Sequence, residues 1–364
     1  MKLKTLALLM GFSAGFSLLT ACDGTTPSIA DINNLLNTPQ TLQGSVFKGP
    51  IDQARIQVMD RLGNPITSIQ SQQGTFQLPA MDALPDLVFI QSSSGQYVDE
   101  ATGNMVNLTG QQGLRAVFTK AELQTILDQN QFIALTPETT LLAKLARYNM
   151  DQGIAPQQAI NDAKNTIETQ MLQGSNPTGS AIPETLLRTG NLSNTQPNSP
   201  QVAQARNRAS AVSFEAKNLG LSPNQVFELI TLRSQDLQDG QLDGMAPTQN
   251  APLSITSTSS GGQTIALDQQ NQATTYRQAR NDQRQANVDL LNSGQLTQTE
   301  QTNLNNELTL LSTPPTQGGM TNQGGNGTQG GMTNQGGNGT QGGMTNQGGN
   351  GTQGGMTNQG GNGT

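Results

Sequence analysis

The 364-residue chain contains no histidine and no tryptophan, and its one cysteine is Cys22. Without histidine, and with no thiol beyond position 22, zinc sites of the usual kind and histidine-assisted nucleophiles cannot be assembled. One cysteine also leaves nothing for an intrachain disulfide. Aromatic residues make up 3% of the chain, so its cores must be small and aliphatic, which favours modest folded units over one large core. There is no phosphate-cradling glycine loop followed by Lys and Ser or Thr. Basic residues number 18 against 25 acidic, a formal charge of −7, and no basic cluster interrupts that balance. A nucleic-acid partner bound through a basic surface is therefore disfavoured. The longest uncharged stretch near the N-terminus, Leu6 to Ala21, falls short of the roughly 18–20 apolar residues that span a bilayer.

What is present begins with an address. Lys2 and Lys4 precede that stretch, and small residues lead into Leu19-Thr20-Ala21-Cys22, the arrangement of a secretory signal with a cleavage site. Leu-Thr-Ala-Cys resembles the bacterial lipobox, in which the cysteine is lipidated and becomes the first mature residue. The resemblance implies a signal peptide at 1–21, lipidation at Cys22 and a membrane-anchored protein of the bacterial cell envelope. Removing 1–21 takes Lys2 and Lys4 and no acid, leaving 16 basic against 25 acidic residues, or −9. Asp23, next to the lipidated cysteine, resembles an inner-membrane retention signal of enteric bacteria. The outer membrane or cell surface is favoured, and Asp23 leaves the inner membrane open. Residues 22–40, rich in Thr, Pro, Asn and Ser, read as a tether.

From 41 to 120 the pattern is that of short strands. Ala54, Ile56 and Val58 alternate with Arg55, Gln57 and Met59, and Leu62–Pro65 form a turn. Thr75–Leu78 make a strand entered through Gly74, and Leu87–Ile90 a buried one. Several short strands at this spacing predict a small β-sandwich. Gly44, Val46, Gly49, Pro50, Ile51, Ala54, Ile56, Val58, Gly63, Gly74 and Phe76 follow the order G-x-V, G-P-I-x-x-A-x-I-x-V, G, G-x-F. That order resembles the transthyretin-like, carboxypeptidase-regulatory-like domain, which recurs in bacterial envelope proteins as a spacer. Tyr97 to Gly103 also resembles a loop of envelope lipoproteins that join such a sandwich to a helical domain. Read as an extended segment, Asp99 and Glu100 point to opposite faces, so the pair is expected to be a solvated polar turn rather than a catalytic or metal pair.

Residues 121–244 predict a helical domain. Thr136 and Pro137 cap a helix to about Met150 carrying Leu141, Leu142, Leu145 and Ala146, and Pro156 restarts the chain for a face of Ile160, Ala163, Ile167 and Met171. Residues 175–199 read as a surface connection. Ser199 and Pro200 open a helix with a seam of Val202, Ala205, Ala209, Val212, Ala216 and Leu219. That seam is expected to pack within the chain, a coiled-coil dimer being the alternative. Ser222 and Gln225 form a capping box for a helix through Leu229 and Ile230 to about Leu237. Beyond it, Asp236, Asp239 and Asp243 are spaced as a weak calcium candidate. Aligning Gly240 as the sixth loop residue leaves Leu237 at the third position and Ala246 at the twelfth, so a glycine-closed helix end explains the residues better. These Asp-Gly steps also resemble a segment of the same lipoprotein group.

Residues 245–269 read as a linker, and 270–312 as two C-terminal helices, the second capped by Thr297 with Glu300. From Thr316 the unit TQGGMTNQGGNG occurs four times, so 316–364 is expected to be a disordered Gly/Gln/Asn repeat tail, with Met320, Met332, Met344 and Met356 its apolar contacts. The fold class expected is thus α+β and multidomain: β-sandwich, helical domain, repeat tail. No catalytic pair, cofactor or firm metal set emerges, although a carboxylate-only or Ser-Lys hydrolase remains open. The expected function is a non-enzymatic, lipid-anchored structural or adhesive stalk that meets the membrane through its lipid and an envelope or matrix partner elsewhere. The alternative is a periplasmic binding or assembly factor for a protein partner.

Overall fold

The structure is a computed structural model that describes residues 41–78, 84–109, 112–172, 188–189, 191–193, 197, 199–247, 251–259, 261–267 and 272–312. The signal segment, Cys22, the tether and the repeat tail lie outside the described residues. The fold is α+β, with two four-stranded sheets, two small ribbons and seven α-helices among the described residues.

The first eight strands are β1 Gln43–Val46, β2 Arg55–Met59, β3 Pro65–Gln70, β4 Thr75–Gln77, β5 Leu87–Ser93, β6 Gln96–Val98, β7 Met105–Asn107 and β8 Arg115–Thr119. Alternation sets their faces as expected: Ala54, Ile56 and Val58 are fully buried, and so are Ile90, opposite Val58, and Val88, opposite Phe118. One sheet runs β3-β2-β5-β8, antiparallel throughout, with Gln57 opposite Gln91 and Phe89 opposite Val117. The other sheet runs β10-β9-β1-β4, where β9 is Phe132–Leu135 and β10 is Arg188–Thr189. Here β1 pairs antiparallel with β4, putting Gly44 opposite Phe76, and parallel with β9, putting Gly44 also in register with Ile133. The spacing of glycine and phenylalanine now has a cause: a Cβ on Gly44 would sit 2.1 Å from the Phe76 ring.

Two boundaries read from the sequence are corrected. The strands β9 and β10 share a sheet with β1 and β4 although they follow residue 120, so 41–120 is not a self-contained sheet unit. A four-residue run such as Phe132–Leu135 cannot be told from a buried helical stretch by periodicity. Residues 245–269 are likewise more than a linker. They contain the hairpin of β11 Ser254–Thr256 and β12 Thr264–Ala266, with Leu253, Ile255 and Leu267 buried.

The helices are α1 Lys120–Asp128, α2 Pro137–Asp151, α3 Pro156–Ile167, α4 Pro200–Asn218, α5 Val226–Asp236, α6 Gln272–Asn292 and α7 Gln298–Ser312. Their starts follow the expected chemistry: Thr136 accepts the Thr139 N–H with Pro137 behind it, and Ser199 caps α4. The Ser222–Gln225 box precedes α5, and Thr297 exchanges hydrogen bonds with Glu300 at α7. The α4 seam is buried within the chain at Val202, Ala205, Ala209, Val212 and Ala216. The helix is enclosed on other faces too, because Asn207, Arg208, Ser210, Ser213 and Glu215 are also buried. Its main partner is α6, whose Tyr276 and Ala279 are fully buried while Leu290 near its end is exposed. The main hydrophobic core runs from Leu42 through both sheets and α1 to α6 as far as Ala279, and a second cluster joins Phe47, Ala134 and Leu192 to Val202, Ala205 and Ala209 of α4.

Candidate functional site

The most concentrated chemistry in the described residues joins the sheets to α4. After β1 the chain turns sharply through Lys48 and Gly49, bridged between Phe47 and Pro50. Gly49 has φ +68°, and a Cβ there would lie 2.8 Å from the Val98 carbonyl, so glycine lets the turn close against the segment after β6. The turn aims Lys48 inward, where its side chain is wholly buried. Its ammonium meets Asp99 Oδ2 at 3.4 Å, Glu100 Oε2 at 3.1 Å and the Ser213 hydroxyl, three acceptors for three N–H donors. The Tyr97 ring lies 4.9 Å from Lys48 Nζ and adds a cation–π contact.

Asp99 and Glu100 are therefore not a solvated turn, and this corrects the reading from sequence. They do not alternate, because β6 ends at Val98 and the chain folds back: the Gly103 N–H donates to the Asp99 carbonyl at 2.7 Å. Asp99 is 1% exposed and its Oδ1 accepts from the Thr102 N–H and hydroxyl. On α4, Ser210 donates to Glu100 Oε1 at 3.0 Å, Ser213 lies 2.9 Å from Glu100 Oε2, and Lys217 donates to the Ala101 carbonyl at 3.1 Å. Residues three and four apart on a helix share a face, so this stripe receives the whole turn. The sequence held a signal for it in two serines and a lysine at that spacing, and in a lone lysine amid Val46, Phe47 and Ile51.

The electrostatics decide what the cluster can do. Burial alone would push the Lys48 ammonium toward neutrality, but Glu100, Tyr97 and Asp99 outweigh it and hold the group above the ordinary lysine value. Burial also pushes the Asp99 carboxyl up, yet Lys48 and the hydrogen bonds from Ser213 and Thr102 hold it below the ordinary carboxylate value. Burial pushes the Tyr97 phenol up to about 12. A Ser-Lys nucleophile needs a neutral amine to take the serine proton. Here the amine is held charged, and Ser213 is 2% exposed. The arrangement binds elements together and does not activate a hydroxyl at Ser213.

A second buried polar set lies among the helices. Glu215 on α4 and Arg233 on α5 form a two-pronged ion pair, with Arg233 5.6 Å from the Tyr276 ring. Burial pushes the Glu215 carboxyl up and the guanidinium opposes that push. The Tyr276 hydroxyl donates to Glu138 Oε1 at 2.9 Å, which links α6 to α2.

The calcium candidate does not assemble. Asp236 Oδ1 accepts the backbone N–H groups of Asp243, Gly244 and Met245 at 2.8–3.2 Å, so N–H groups occupy the place of a cation. Asp239 turns to the Gln241 N–H and Asp243 to the Met245 N–H, each at 2.9 Å. Gly240, at φ +87°, closes the helix end. No group of three or more Cys, Asp or Glu among the described residues could hold a metal ion. A groove of about 450 Å³ beside β1 and β4 is lined by Gln43, Gln72, Gln77, Phe76 and Phe132 among others, none of them titratable. No family model, curated protein or solved structure matches the chain.

Proposed function

We propose that the chain is a lipid-anchored envelope lipoprotein in which a transthyretin-like sandwich and a helical domain form a non-enzymatic stalk, structural or adhesive in use. In this reading Cys22 carries the lipid, residues 22–40 tether the folded part, and the repeats from Thr316 project from it. The observation that supports it most is the Lys48 cluster. Its charges are spent on joining strands to α4, with the ammonium held charged and the serine shielded. A rigid joint of this kind suits a spacer better than a reaction centre. No helix among the described residues is long and apolar enough to cross a membrane.

The test combines labelling and access. Cells fed a palmitate analogue should label the wild-type chain and leave Cys22→Ser unlabelled. Protease added to intact cells should remove an epitope placed before Thr316 while a periplasmic control survives. Protection of that epitope until the outer membrane is permeabilised would sink the surface role and favour the periplasmic assembly factor.

A further inference from the structure

Several cations withdrawn from water in this structure have an acid against them. Lys48 has Asp99 and Glu100, Lys164 has Glu122 at 2.8 Å, Arg206 has Glu307 at 3.2 Å, and Arg233 has Glu215. Among the described residues Arg115 and Lys144 have none, and Arg208, wholly buried on α4, has none in an ion pair either, although the Glu138 charge favours its cation. The Arg115 backbone N–H donates to Thr140 Oγ1 at 2.8 Å, which pins the start of β8 to the first turns of α2. Lys144 stands four residues after Thr140, on the α2 face that covers the sheet face carrying Phe89, Val117, Gln91 and Arg115, where Arg147 lies over the Phe89 ring and the Arg115 and Lys144 charges repel. Both side chains are half-buried, and among the described residues neither makes a hydrogen bond or ion pair with an acid. Of the two acids on α2, Glu138 is six residues from Lys144 on another face and accepts the Tyr276 hydroxyl, and Asp151, on the same face, is held by Arg147 at 3.1 Å, while Arg147 leans over the Phe89 ring at 5.8 Å. Across the strand, Gln91 faces Arg115 in register and brings an amide to the same place.

Two like charges, partly desolvated and side by side, repel each other, and whatever supplies negative charge between them relieves both costs. Burial holds the Lys144 ammonium below its ordinary value, and the Arg115 charge adds to that push. A guanidinium offers a planar fork and an ammonium a mobile point charge, a combination suited to a tetrahedral oxyanion. We propose that Arg115 and Lys144, at the junction of β8 and α2, form an oxyanion site that takes a phosphate or phosphoryl group. Since the chain is net acidic, diffuse attraction would not mimic such binding; the anion must find this pair. The proposal stands apart from the stalk reading, because the pair would act alike on any platform.

The test is a thermal unfolding titration of the purified full chain at constant ionic strength, with sodium chloride as the balancing salt. Two probes are used: inorganic phosphate, and glycerophosphoglycerol, the phosphodiester headgroup of a common anionic lipid freed of its acyl chains. A ligand of the folded state raises the unfolding temperature in a saturable way. Phosphate should do so in the wild type. In Arg115→Gln and in Lys144→Gln the half-saturating concentration should rise by roughly tenfold or more, the loss of one charge-assisted hydrogen bond. Arg55→Gln, an exposed control on β2, should respond to phosphate as the wild type does. A stronger response to the diester than to phosphate supports the site with a membrane headgroup as its source, and the reverse order supports it with a free oxyanion. No saturable shift with either probe, or equal shifts in wild type and both site variants, overturns it.

Discussion

Lys48 keeps its charge without water because three acceptors face its three N–H groups, and that balance fails if the cation is removed. Lys48→Met leaves Asp99 buried against no counter-charge, so the variant should lose about 3–5 kcal/mol in denaturant unfolding, the cost of breaking a buried pair. The same measurement as a function of pH checks the cause. Asp99 has a folded value below its unfolded one. Its contribution is therefore present above the unfolded value and is lost as pH falls through the depressed folded value, a loss that sets in below about pH 4. In Lys48→Met the acid slope should be flatter. An unchanged slope would mean that Ser213 and Thr102, not Lys48, hold the carboxylate down. At this scale the sequence misleads where two charged neighbours are judged by strand alternation. Asp99 and Glu100 lie in a tight turn, and only the tertiary fold brings Lys48, 51 positions earlier, against them.

Helix starts with capping residues are legible in the sequence, and short strands without a strong alternation are not. Thr136-Pro137, Ser199-Pro200, Ser222 with Gln225 and Thr297 with Glu300 each mark a helix start correctly, because the unpaired N–H groups of a first turn need acceptors in fixed places. Thr119 with Glu122 is the same signal before α1, present though not read. In contrast β9 is four residues long and pairs with the distant β1, and β11 and β12 are three-residue strands that pair only with each other. The glycines of the strand motif carry information of another kind. Gly44 makes room for Phe76 across the β1–β4 pair, so Gly44→Ala should destabilise the protein by about 1–3 kcal/mol through overpacking. Adding Phe76→Leu to Gly44→Ala should then cost less than Phe76→Leu costs alone, since the two side chains compete for one space. Additive losses in thermal unfolding would contradict that account.

For the molecule as a whole, the boundary at residue 120 is where pattern and structure part most clearly. The period changes there from strands to helices, yet the core does not. A chain truncated after Lys120 lacks β9 and should show no cooperative melting by circular dichroism, whereas one ending at Ser312 should melt in a single transition. Cooperative melting of the short chain would restore a separable first domain. The place of β1 also has a mechanical meaning. It is the first described strand, and it lies between β9 and β4, hydrogen-bonded on both edges. A pull arriving from the N-terminal side along its axis would load both ladders at once, in shear. Neither row could be opened bond by bond like a zipper. The element that would feel tension first is thus the one with a grip on each side.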